Sequence, residues 1–116
     1  MIIAVQGTNE FNDYNIFLRA MSVALSNIAQ DDKEILVYSV GPAQINAFVS
    51  EFCNLSERGL KARGKKIKYF KVAPFWLEEN MEYVNYFIYV CKPNQNMSKL
   101  AGIAELNNIE VGIFKY

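Results

Sequence analysis

Ile2-Ile3-Ala4-Val5-Gln6-Gly7-Thr8-Asn9-Glu10-Phe11-Asn12-Asp13-Tyr14 is the stretch on which the fold turns. Its apolar start has strand length and no polar alternation, so it reads as a strand buried on both faces. Gly7 and Thr8 end that strand in a turn. From about Asn12 to Gln30 the spacing becomes helical. Phe17, Met21, Ala24 and Ile28 share a stripe, with Ile16, Ala20 and Val23 beside it. Asn15, Arg19, Ser22 and Ser26 face away. Asn12 is placed to cap the first turn, and Asp13 suits its positive end.

The same alternation continues outward. Ile35 to Val40 reads as a second strand, apolar almost throughout, closed by Gly41-Pro42, and Pro42 fits a helix start. Ile45, Phe48, Val49 and Phe52 make the next helical stripe, with Gly59 loosening that region and Gly64 closing it. Ile67 to Val72 alternates, which suits a half-covered strand near an edge. Leu77, Met81 and Val84 allow a short helix between Pro74 and Asn85. Tyr86 to Cys91 is the strongest strand signal. A last helix holds Leu100, Ile103 and Ala104, and Glu110 to Phe114 reads as a final strand. Strands and helices in strict turn predict an α/β protein. It is a single Rossmann-like, three-layer domain over 1–116, with a mostly parallel five-stranded sheet and helices on both faces.

Composition narrows the chemistry. Hydrophobic residues make up 52% of the 116, enough for a true core. Lys+Arg and Asp+Glu both number 12, so no net field draws the protein to nucleic acid or membrane. Arg58, Lys61, Arg63, Lys65, Lys66, Lys68 and Lys71 still form a basic stretch, read either as a solvated helix end or as an anion patch. Histidine is absent, which removes the commonest general base and metal ligand. Cys53 and Cys91 have no metal-like spacing and are expected as buried thiols. No apolar run approaches membrane-spanning length and no leader is visible, so a cytoplasmic protein is expected.

In an open parallel sheet, ligands bind beyond the strand carboxyl ends where the strand order reverses. Three junctions should meet there: residues 6–11, 39–44 and 92–98. Gly7 would admit a ligand to the backbone, with Thr8 and Asn9 as hydrogen-bonding groups. Ser39 and Gly41 form a weaker second loop, because Pro42 removes a donor. Lys92 could neutralise a phosphate or simply be solvated, and Ser98 could bind a ligand or cap the last helix. Phe11 and Tyr14 could stack on a base. The alternative for Phe11 is a staple at the helix start. Trp76 is open to two readings, pocket wall or core. Neither a Walker loop nor a full dinucleotide fingerprint is present.

Gly7-Thr8-Asn9-Glu10-Phe11-Asn12-Asp13-Tyr14, directly after a first strand, resembles the opening of the SLOG superfamily and in particular its small YspA-like members. That superfamily also includes the lonely-guy cytokinin-releasing enzymes and the DNA-processing protein A fold. YspA-like openings read Gly-Ser/Thr-Arg-x-Phe-x-Asp-Tyr, and here Asn9 stands for the arginine. Later motifs depart further. Val40-Gly41-Pro42-Ala43-Gln44-Ile45-Asn46 replaces a Gly-Gly-Ala-x-Gly-Ala-Asp loop. Glu79-Asn80 replaces an Arg-Asn pair, and Asn85 an aspartate. Asn96-Met97-Ser98-Lys99-Leu100 lacks the glycine of a Ser-x-Gly-Thr phosphate loop. Arginines and glycines that would serve a phosphate are lost together.

The resemblance implies a Rossmann-like fold and a nucleotide or nucleotide-derived ligand, and related folds commonly self-associate. With no acid–base pair visible, and Glu105 too far along the last helix to serve, the expectation is binding without catalysis, cofactor or metal. Two alternatives stand beside it. One is a ligand-free phage or mobile-element protein acting through protein contacts, to which the aromatic content is suited. The other is a divergent nucleoside-phosphate phosphoribohydrolase. Nucleic acid is not an expected partner.

Overall fold

A computed structural model describes residues 1–26, 28 and 31–116. The strands are β1 (Ile2–Gly7), β2 (Glu34–Gly41), β3 (Lys66–Lys71), β4 (Tyr86–Cys91) and β5 (Glu110–Lys115). The helices are α1 (Tyr14–Leu25), α2 (Ala43–Ala62), α3 (Pro74–Asn80) and α4 (Lys99–Leu106), with a 3-10 turn at Met81–Tyr83. The sheet order is β3-β2-β1-β4-β5 and every pairing is parallel. The predicted α/β architecture is therefore present, with an all-parallel sheet.

Strand periodicity sorts the core into two layers. Ile3 and Val5 of β1, Ile35 and Val37 of β2, and Ile88 and Val90 of β4 face α1 and α2. There they meet Phe17, Met21, Ile45, Phe48 and Phe52. Ala4, Phe87, Tyr89 and Cys91 face the opposite way, onto Leu77, Met81, Leu100 and Ala104. Cys53 and Cys91 are buried free thiols, one in each layer. The second layer is uneven. α3 is only seven residues long and lies toward β4 and α4, so Tyr38 on β2 stays half-buried and Phe70 on β3 is 46% exposed.

Local chemistry explains several boundaries. Asp13, not Asn12, caps α1. Its carboxylate accepts from the backbone N–H of Asn15 and Ile16 at 3.0 and 3.2 Å. A carboxylate one residue nearer the helix reaches both orphan donors and also suits the positive helix end. The predicted helix to Gln30 stops as a regular helix at Leu25, and residues 27, 29 and 30 lie outside the described residues. Val23, expected beside the apolar stripe, is 41% exposed. Gly59 does not loosen α2, which runs through it to Ala62. Gly64 closes that helix in the left-handed region at φ +75°, and its N–H donates to the Lys61 carbonyl at 3.0 Å. Pro42 sits at the N-cap of α2 and follows a cis peptide bond.

Candidate functional site

β1 and β4 are neighbours, so the sheet has its reversal point between them, and the loops after both strands meet at that rim. Gly7, Thr8, Lys92 and Ser98 come together there as the sequence suggests. The polar groups of Thr8, Lys92 and Ser98 are each engaged with other residues of the fold. The Thr8 N–H donates to the Val90 carbonyl at 3.1 Å, and its hydroxyl is hydrogen-bonded to the Tyr116 hydroxyl. Ser98 caps α4 by accepting from the Ala101 N–H at 3.1 Å, and its hydroxyl donates to Gln6 Oε1 at 2.6 Å. Lys92 is ion-paired with Glu10 across the rim, and its own N–H donates to the Gln95 side chain.

The approach to the Gly7 backbone is occupied as well. A Cβ there would fall 2.7 Å from the Ile45 side chain, so the glycine makes room for α2. Phe11 is 1% exposed and packs edge-on to Phe48, at 5.9 Å, and against Tyr116 at 5.1 Å. It serves as a core residue at the helix start and has no face free for a base. Tyr14 stacks on Phe17 at 5.8 Å, and its buried hydroxyl has no hydrogen-bond partner among the described residues. Burial, with the nearby Glu51 carboxylate, raises its pKa above the ordinary tyrosine value. Asn9 is exposed at the tip of the turn. Ser39 is buried and donates to the Asn46 side chain. Gly41 is buried, at φ +102°, at the end of β2.

An open groove lies one step further along the same carboxyl edge, beyond β2 and β3. Tyr38, Phe70, Val72, Ala73 and Trp76 line about 540 Å³, with Lys71 at its margin. β2–β3 register sets Tyr38 opposite Phe70, and their rings lie 6.0 Å apart. Trp76, from α3, stands edge-on to Tyr38 at 5.2 Å and remains 41% exposed. Of the two readings open for Trp76, the structure places it in a pocket wall. Tyr38 and Phe70 carry no local signal in the sequence. They form a wall only because β2 and β3 pair in this register and α3 is too short to cover them.

Among the described residues there is no group of three or more His, Cys, Asp or Glu side chains that could hold a metal ion, and no helix is long and apolar enough to cross a membrane. Comparison of the chain with protein-family models, with curated proteins and with solved structures finds no match.

Proposed function

We propose that this chain is a non-catalytic binding domain for a nucleotide or nucleotide-derived ligand, and that the ligand seats in the aromatic groove at the ends of β2 and β3. The observation that carries the reading is that groove. It has the volume of a small-molecule site, aromatic walls for a planar base and a lysine for an anionic group. It also lies at strand carboxyl ends, where parallel sheets present ligands. The resemblance of residues 7–14 to the SLOG opening supports the same ligand class. The reversal-point rim supports it less, because its donors and acceptors already satisfy one another.

Calorimetric titration with a panel of mononucleotides and cyclic dinucleotides tests the reading. A saturable ligand should lose roughly 5- to 150-fold in affinity in Phe70→Ala, since stacking on an aromatic side chain contributes about 1–3 kcal/mol per base. Thr8→Ala should bind normally while losing about 0.5–1.5 kcal/mol of stability with its Tyr116 partner. Loss of binding in Thr8→Ala with none in Phe70→Ala would return the site to the rim.

A further inference from the structure

Among the described residues β3 is an edge strand, paired only with β2. The Lys66 N–H donates to Lys33 and the Val72 N–H to Ser39, both at 2.9 Å. In a parallel ladder each residue directs its N–H and C=O to the same side, and the side alternates. Lys66, Lys68, Phe70 and Val72 therefore bond inward to β2, and the backbone of Ile67, Tyr69 and Lys71 points outward. That free row is flanked by side-chain space on both faces. On the α2 side, Cys53, Asn54, Glu57 and Tyr69 border a groove of about 310 Å³. On the other side Phe70 stands open.

We propose that the β3 edge is a strand-addition site for an extended, acidic peptide segment of a partner protein. Strand addition draws its affinity from main-chain hydrogen bonds and its selectivity from pockets for alternate side chains, and both are present along this edge. Charge decides the occupant. Lys66, Lys68 and Lys71 are exposed on a six-residue strand that carries no acidic residue. The nearest carboxylate to Lys68 is Glu34 at 3.7 Å, and both side chains are about half exposed. A second copy of this strand is disfavoured. It would bring its own Lys66, Lys68 and Lys71 to the shared edge and gather like charge there. Glutamates or aspartates on an added strand would instead meet lysines across the ladder. The edge shares Phe70 and Lys71 with the aromatic groove, but the proposal does not rest on nucleotide binding there.

The test is amide NMR and fluorescence anisotropy on the whole chain with a capped peptide of alternating glutamate and valine. Three further probes accompany it: the lysine–valine counterpart, the acidic peptide N-methylated on alternate amides, and a single-stranded oligonucleotide. The expected result is slowed exchange at the Ile67, Tyr69 and Lys71 amides with the acidic peptide. N-methylation should weaken binding about tenfold or more, and Lys66→Glu with Lys68→Glu should reverse the preference between acidic and basic peptides. Because N-methylation leaves the protein unaltered, that arm does not depend on variants that fold. Equal binding of the N-methylated peptide, shifts confined to other elements, or tighter binding of the oligonucleotide than of the peptide would overturn the proposal.

Discussion

A methyl group on Gly7 would fall 2.7 Å from two atoms of Ile45, both side-chain carbons in a fully buried position. Gly7→Ala should therefore cost about 1–3 kcal/mol in urea unfolding, as overpacking does. With Ile45→Ala in the same chain, the pair should cost less than the sum of the two, because each change relieves the other. Cys53 makes a second prediction at this scale. Burial pushes its thiol up from 9.0 to about 12. The unfolded chain thus releases a proton that the native state retains. Cys53's contribution to stability is full below about pH 9 and is lost as pH rises through 12. The tyrosines at 14, 86 and 89 are also raised by burial and add to the decline at higher pH. Cys53→Ala should delay the onset of the decline in a denaturation series across that range. Native protein should also react with a thiol-specific disulfide reagent at pH 8 far more slowly at Cys53 than unfolded protein does.

At the scale of the element, α1 depends on one carboxylate. Asp13→Ala should lose about 0.5–2 kcal/mol, while Asn12→Ala should change stability by only a few tenths. Thermal unfolding of the two variants distinguishes them. Which of two adjacent polar residues takes the cap depends on the entry angle of the chain, and periodicity does not encode that angle. What periodicity does encode was readable. The apolar runs of β1, β2 and β4 gave strands, buried throughout in β4 and at alternate residues in β2, and the alternation of Ile67 to Val72 gave a strand at an edge. The site was less readable. Thr8 meets Tyr116 across 108 residues and Ser98 meets Gln6 across 92. Partners that distant are invisible to local pattern, so hydroxyls that look free in the sequence are engaged in the fold.

For the whole molecule, the strand order β3-β2-β1-β4-β5 creates the reversal point that fold logic expects, and the second helical layer leaves the opposite end of the sheet half-covered. The cover is uneven because the β3-to-β4 connection crosses the sheet with one short helix and a 3-10 turn. Open surface follows from that unevenness. Tyr38, Phe70 and Trp76 are left as a groove, and the β3 edge is left open beside it. Trp76 is the chain's single tryptophan and lies in the groove wall, so its emission reports on that groove directly. The most direct measurement is a titration of Trp76 fluorescence with the nucleotide panel, in the wild type and in Thr8→Ala. Saturable quenching of equal affinity in both is the predicted result. Calorimetric binding of a nucleotide that leaves Trp76 emission unchanged, and that Thr8→Ala abolishes, would contradict the account.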